Sequence, residues 1–543
     1  MVQRNARVIS VVPLCLALLP ACSNDAPEPE LTTTKRSAVV TVVENRSLAV
    51  TDVAVLGAFS FQEILSQLIT QAGVTGQTPL QLFRAWVATN NVCSEVIGGT
   101  TVPNGFNGFP FSCRPNEEAR DQEPFAGSGE YKVTGLFNRF DLAPANGADC
   151  GEYRIVVSRS EVDPVTRKSL IFEAKLPNPQ PASGLEGCRP VAQFWADLSG
   201  VASSTERATR LRNFYLTGLP GFAPVVHINH FQRLPGSGRV RTNSFLGGGP
   251  WSLREYGLRR VCNPGCSLAF LQQPTGDNPF WALSGSPTGH PLATSFQDWF
   301  IGSLQAGQGL LANDVNRLIM NTPEQFLMGE SQLPENIGAP TPPPRNLADE
   351  LSPEFAGRIQ TRLAALGVAL TPAQLINRAD STTCTGCHRS ANGDDVGFAA
   401  PFPNALPFRQ TEKLTTAGPD GDRFRMSDAL LNVFLPFRKA NLEQFLNQPP
   451  LNTPCAGLCS NPVVFPGPHH QSGNLGTGVT CHQTTANLAS GNCGNFAAGR
   501  TFKINGATMS CTGMNLTLPP KRNGGYCLQA SAGNWPWAYF TTW

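Results

Sequence analysis

Cys384-Thr385-Gly386-Cys387-His388 is the stretch on which the reading of this chain turns. Two cysteines two residues apart, with a histidine directly after the second, is the spacing that covalent attachment of a c-type haem requires. Each thiol can add to one vinyl group of the same porphyrin, and the adjacent imidazole is then held against the iron as proximal ligand. With 16 Cys and 7 His in 543 residues, a chance occurrence is expected in on the order of one such chain in a hundred. The bland alternatives are a strained disulfide and half of a zinc site. Cys384 and Cys387 are therefore the expected anchors of one covalent haem c, and His388 its expected iron ligand.

Helix signals flank the motif on both sides. Ser352 can cap a helix that begins at Pro353, carries Phe355, Ile359, Leu363 and Leu366 on one face, and stops at Gly367. Thr371-Pro372 opens a second helix that leads through Asn377 and Arg378 into the motif. Ser427-Asp428 starts a third through Leu430, Leu431, Phe434 and Leu435, which Pro436 ends or kinks. The stretch 346–448 resembles a class I cytochrome c domain, a small all-α fold wrapped around one haem. In that family a proline after the proximal histidine offers its carbonyl to the imidazole N–H; Pro401 and Pro403 are the matches here. A later methionine supplies the sixth ligand, and the resemblance carries that role to Met426, the sole methionine of the segment. His290, Met320, Met328 and an open sixth position stand as alternatives. Methionine ligation implies single-electron transfer with an unknown redox partner; an open iron implies a haem peroxidase-like enzyme. Arg378, Arg389 and Arg409 are candidates to pair with the haem propionates.

The N-terminus addresses the compartment. Arg4 and Arg7 precede an apolar run, 8–19, and Leu19-Pro20-Ala21-Cys22 follows it, so 1–21 reads as a signal peptide. It resembles a bacterial lipoprotein signal, which implies cleavage before Cys22, lipidation of that thiol and anchoring to a lipid bilayer; Ser23 implies the outer membrane. Residues 22–36 read as a flexible tether, and no other apolar run is long enough to cross a bilayer. Setting aside Cys15, Cys22, Cys384 and Cys387 from the sixteen cysteines leaves twelve, an even number suited to disulfides in an oxidising space. Sequence proximity suggests Cys93 with Cys113, Cys150 with Cys188 and Cys262 with Cys266.

The composition, 41% hydrophobic and 15% charged, provides for large folded cores, and a net charge of +2 gives no field for nucleic acid. Residues 37–338 read as an α+β domain. Val39-Val40-Thr41-Val42-Val43, the run at 153–157 and Pro224-Val225-Val226-His227-Ile228-Asn229-His230-Phe231 suggest strands; 61–72, 79–87 (capped by Thr78) and 190–198 suggest helices. Phe137-Asn138-Arg139-Phe140-Asp141-Leu142 and Tyr215-Leu216-Thr217-Gly218-Leu219 resemble stretches of uncharacterised secreted proteins of myxobacteria. The domain holds no G-x-S-x-G, H-E-x-x-H, P-loop or dinucleotide fingerprint. His227 and His230, three apart on a strand, would point to opposite faces and make poor co-ligands. Asp141, Glu152 and Arg154 read as a solvated salt-bridge group.

A Pro-rich spacer, 339–345, marks a boundary. Residues 452–543 hold Cys455, Cys459, Cys481, Cys493, Cys511 and Cys527 and read as a small disulfide-rich β module, with a hairpin at Asn505-Gly506. Its aromatics Tyr526, Trp535, Trp537, Tyr539, Phe540 and Trp543 either fill the interior or stack on polysaccharide. The chain thus reads as a multidomain cell-envelope lipoprotein. Its function is that of a c-type cytochrome, or alternatively of a haem-free surface adhesin that binds glycans.

Overall fold

The computed structural model describes residues 39–91, 94–97, 100–103, 105–107, 109–110, 114–159, 168–244, 251–276, 283–285, 290–333, 347–406 and 411–447, and strand segments between 462 and 542. The signal peptide, the tether, Cys22, Cys93, Cys113, the Pro-rich spacer and Arg409 lie outside the described residues, as do the side chains of Arg389, the six C-terminal cysteines and the terminal aromatics. Contacts group Val40–Trp543 as one unit, apart from Met1–Val39.

The architecture is mixed α/β, centred on an eight-stranded antiparallel sheet. Its strands are β1 (Ala49–Val50), β2 (Tyr131–Arg139), β3 (Asp149–Arg159), β4 (Lys168–Pro177), β5 (Arg239–Ser244), β6 (Trp251–Cys262) and β7 (Cys266–Gln273), adjacent in that order, with β8 (Glu330–Leu333) paired to the first residues of β6. Alternation along the strands sorts their side chains. Tyr153, Ile155, Phe172, Val240, Tyr256 and Leu258 point into one core with α1 (Phe61–Gln71), α2 (Pro79–Ala88), α3 (Arg189–Asp197) and α4 (Ser204–Arg212). Within it Trp195 of α3 is fully buried, stacked on Tyr153 at 5.9 Å and edge-on to Phe214 at 5.8 Å. The residues that alternate with this set are different in kind: Glu152, Arg154, Glu173, Arg239, Arg241 and Glu255.

The local signals explain where these helices start. Thr78 Oγ1 accepts from the Gln81 N–H at 3.2 Å and the Gln81 side chain accepts from the Thr78 N–H at 2.8 Å, a complete capping box ahead of Pro79. Two strand expectations are corrected. Residues 40–43 form no strand and lead into a helical turn, Glu44–Ser47; the alternating valines there bury only Val42 fully. Residues 224–231 turn instead through a 3₁₀ segment, Ile228–His230, because His230 donates its backbone N–H to the His227 carbonyl at 2.9 Å. Two expected disulfides, Cys150–Cys188 and Cys262–Cys266, are present.

Beyond the sheet come α5 (Ala293–Ser303), α6 (Pro353–Ala365), α7 (Pro372–Ser381) and α8 (Leu435–Asn447). The stretch expected to be all-α also holds a β-hairpin, β9 (Thr411–Gly418) and β10 (Gly421–Met426). The turn Pro419-Asp420-Gly421 closes it, a turn signature between two alternating runs. The hairpin fastens to the N-terminal part: the Phe424 N–H donates to the Thr51 carbonyl at 2.9 Å, and Arg46 pairs with Asp420. Pro436 does not end the last helix. A π turn over Leu430–Phe434 precedes it, and the wider turn accommodates a residue without an N–H. Cores are shared across the chain: Phe296 and Phe300 pack with Phe355, Ile359 and Leu375, while Met426, Leu435, Leu442 and Phe445 join the sheet's core.

The C-terminal strands pair into a five-stranded sheet, ordered Pro462–Phe465, Cys481–Thr484, Tyr526–Gln529, Thr501–Ile504 and Ala507–Ser510. A four-stranded sheet follows, ordered His470–Gln471, Tyr539–Thr542, Leu488–Asn492 and Asn515–Thr517. Thr501–Ile504 and Ala507–Ser510 pair antiparallel, and the turn expected at Asn505-Gly506 lies outside the described residues.

Candidate functional site

Helix α7 delivers the Cys384–His388 motif. Thr371 and Gln374 form its capping box, with Gln374 N–H to Thr371 Oγ1 at 3.1 Å and Thr371 N–H to Gln374 Oε1 at 3.0 Å. Its last turn is tied down by Arg378, whose guanidinium donates to the carbonyls of Val396 (2.6 Å), Leu310 (3.0 Å) and Ala312 (3.0 Å) and lies over Phe398 at 4.2 Å. Arg378 is thus a structural clamp, committed to backbone oxygens, and not among the residues lining the cavity described below. After α7 the chain turns tightly. Thr383 Oγ1 donates to the Asp380 carbonyl at 2.7 Å and accepts from the Gly386 N–H at 2.9 Å, while Ser390 Oγ donates to the Asp380 carboxylate at 2.7 Å. The turn leaves no room at position 386: a Cβ there would stand 1.8 Å from the Asp380 carbonyl oxygen, so the residue directly before the second cysteine must be glycine for this backbone path.

Cys384, Cys387 and His388 all line one cavity of about 400 Å³ between the charged sheet face and the α7–α8 segment. Its apolar wall includes Phe137, Val156, Ile171, Ile319, Leu430 and Phe434. Met320 lines it as well. Met426 does not: it lies at the end of β10, 4% exposed, packed in the shared core. Of the other candidates, His290 stacks on Phe109 at 4.8 Å and its Nδ1 accepts from the Leu292 N–H; Met328 packs with the α5–α6 core. The structure therefore brings together Cys384, Cys387, His388 and Met320, and sets Met426, His290 and Met328 apart from that lining.

The sheet supplies further groups. His388 Nδ1 is 3.4 Å from Asn243 Nδ2 on β5, and Asn243 Oδ1 accepts from the Trp251 indole N–H at 2.8 Å, so Trp251 orients the amide beside the imidazole. The Trp251 ring itself lies 5.8 Å from the His388 ring. Asp141, Glu152 and Arg154, read from sequence as a solvated group, belong to a buried ion-pair network on the cavity wall. Arg139 grips Asp141 at 2.9 Å; Arg154 bridges Glu152 (2.7 Å) and Glu173 (3.2 Å); Arg241 bridges Glu173 (3.3 Å) and Glu255 (2.9 Å). Arg239 pairs with Glu255 at 3.0 Å and Arg233 with Glu255 at 3.4 Å. Cross-strand register creates the pattern: Arg154 opposes Glu173, Glu173 opposes Arg239, and Arg241 opposes Glu255. Burial would raise the carboxyls of Glu152 and Glu255, but the guanidiniums around them prevail: Arg154 and Arg239 hold Glu152, and Arg239 and Arg241 hold Glu255, each at about 2. Arg438 of α8 comes from the other side of the cavity, its nearest carboxylate being Asp141 at 3.9 Å.

The Cys387 thiol is pushed up by burial, against the pull of Arg139, Arg154, Arg241 and Arg438. That opposes a role as a low-pKa thiolate nucleophile. His227 and His230 lie with ring centroids 5.1 Å apart, closer than a strand would place them, because a 3₁₀ turn eclipses residues three apart. Burial pushes His230 down to about 4 while its Nδ1 bonds the Val225 carbonyl at 3.2 Å. Among the described residues no group of three or more His, Cys, Asp and Glu gathers as a metal-binding cluster, and no helix is long and apolar enough to cross a membrane. No protein-family model, no curated protein and no solved structure matches this chain.

Proposed function

We propose that this protein is a cell-envelope c-type cytochrome that binds one haem covalently through Cys384 and Cys387, with His388 as proximal ligand, and transfers single electrons to an unidentified redox partner. The observation that carries the reading is the common cavity: both thiols and the imidazole line the same space of about 400 Å³, within the ~300–1,000 Å³ range of small-molecule and cofactor sites. The donor set fits a porphyrin, since two thiols at this spacing and an adjacent imidazole are what two vinyl groups and one iron need. When bound, the haem supplies a one-electron ferrous–ferric couple. The chain's own residues hold and shape it. Gly386 and the Asp380–Thr383 bonds fix the spacing of the two thiols, Trp251 and Asn243 flank the imidazole, and Phe137, Ile171 and Phe434 exclude water.

Met320 is the sulfur ligand this reading now favours for the sixth position, because it shares the cavity with His388 whereas Met426 is core. Relative to the class I cytochrome c resemblance, the haem domain is then completed by the charged face of the large sheet. The signal peptide and Cys22 complete the proposal as the route to the envelope and its lipid anchor. A haem stain of the denatured full-length chain, produced with c-type maturation machinery, tests it. A covalent haem band in the wild type that is lost in Cys384→Ala/Cys387→Ala is expected. A wild type without the band returns the chain to the haem-free adhesin reading.

A further inference from the structure

The ion-pair network on the cavity wall is unbalanced. Its carboxylates are Asp141, Glu152, Glu173 and Glu255; the guanidiniums that pair with them are Arg139, Arg154, Arg233, Arg239, Arg241 and Arg438. Six cations against four anions leave a formal surplus of two positive charges among the described residues. The carboxylates are buried and the guanidiniums partly so: Glu173 and Glu255 are 1% and 0% exposed, and the side chains of Arg438, Arg139, Arg241 and Arg154 are 11%, 16%, 20% and 23% exposed. Uncompensated charge out of water is unfavourable unless a counter-charge is at hand. The excess is also directed: Arg139, Arg154, Arg241 and Arg438 all line the cavity that holds the motif, and Arg139 and Arg438 line a second cavity of about 170 Å³ that meets the first at Cys387, Leu318 and Phe434. Glu173 also lines the first cavity and Asp141 the second, but both are gripped by arginines of the sheet, whereas Arg438 faces them from α8 with no closer carboxylate than 3.9 Å.

We propose that these four arginines form a binding subsite for a dianion carrying two carboxylates, placed beside Cys387 at the junction of the two cavities. Guanidinium forks match carboxylates bidentately, and two carboxylates neutralise a surplus of two. Two sources share that chemistry: the paired propionates of a porphyrin held by Cys384 and Cys387, and a free dicarboxylate. The first source rests on the cytochrome reading; the subsite itself does not. It also replaces the propionate partners expected from sequence, since Arg378 is spent on backbone carbonyls.

The test uses the full chain in two forms, made with and without c-type maturation, and calorimetric titration with succinate at low and high salt. The haem-free chain is expected to bind one succinate in a salt-sensitive manner, weakened about tenfold by Arg438→Gln and unchanged by Arg260→Gln on the exposed end of β6. Binding by the haem-free chain that disappears in the haem-loaded chain assigns the subsite to propionates. Binding by both forms assigns it to a free dicarboxylate beside the haem. Succinate binding in a chain that never acquires haem keeps the subsite and removes the cytochrome reading. If the haem-free chain does not fold, the yield of covalent haem decides: Arg438→Glu is expected to lower it about tenfold, with Arg438→Lys close to wild type and Arg260→Glu unaffected. No succinate binding by a folded haem-free chain, or an Arg438→Glu haem yield equal to wild type where that yield decides, overturns the proposal.

Discussion

At the scale of single residues, the motif and the groups around it differ in how far their placement follows from linear order. Cys384, Cys387 and His388 were legible because their chemistry dictates a local spacing, and a local spacing survives whatever fold surrounds it. Met426 and Met320 were not separable in that way. Both are methionines at a distance from the motif, and what distinguishes them is which side of a hairpin or loop each presents: Met426 is 4% exposed in the core, and Met320 lines the cavity. Two substitutions separate their roles. Met320→Ala is expected to remove the methionine–iron charge-transfer absorption of the ferric haem-loaded protein and leave stability within about 1 kcal/mol. Met426→Ala is expected to leave that absorption in place and cost about 2–5 kcal/mol in urea unfolding, as deletion of a buried core side chain does. The reverse pattern of spectra returns the ligand to Met426.

At the scale of elements, caps and turns carried most of what could be read. Thr78 and Thr371 both announce capping boxes with proline at the first helical position, and both helices start where those signals stand. Thr371→Ala is expected to lower stability by about 1 kcal/mol, seen as a shift of the urea midpoint at unchanged slope. The β9–β10 hairpin was missed although Pro419-Asp420-Gly421 signals its turn, because helix signals on either side drew the whole segment into one class. The 224–231 segment failed for the opposite reason. Its β-branched residues suit a strand and Val226, Ile228 and His230 are buried at alternate positions, but local bonds close a turn instead: the Asn229 N–H donates to His227 Nδ1 at 3.2 Å and the His230 N–H to the His227 carbonyl at 2.9 Å.

At the scale of the whole molecule, the buried network sets how stability responds to acid. Glu152 and Glu255, held at about 2 against an ordinary 4.5, contribute stability that is complete above about 4.5 and is lost as pH falls from there toward 2. His230, held down at about 4 against 6.5, acts earlier: the unfolded chain takes up its proton first, so stability falls as pH drops from about 6.5 to 4, by about 3 kcal/mol at most. Urea midpoints measured across pH are expected to decline in these two stages, and His230→Gln is expected to remove the first; a single decline confined below pH 4 in the wild type contradicts the assignment. The charge network also shows where sequence reading stops. Arg139, Glu152, Glu173, Arg241 and Glu255 lie on five different strands, and nothing in their linear order marks them as partners until strand register sets them side by side. By itself the sequence determined the spacing of Cys384, Cys387 and His388, the capped helices that lead into and out of that stretch, the close disulfides and the β character of the C-terminal strands, because each rests on contacts among residues near in the chain. The tertiary structure alone decided that the motif faces a charged sheet wall, which methionine shares its cavity, and that the helices around it share their cores with the rest of the chain, because each depends on which side chains long-range pairing brings to one face.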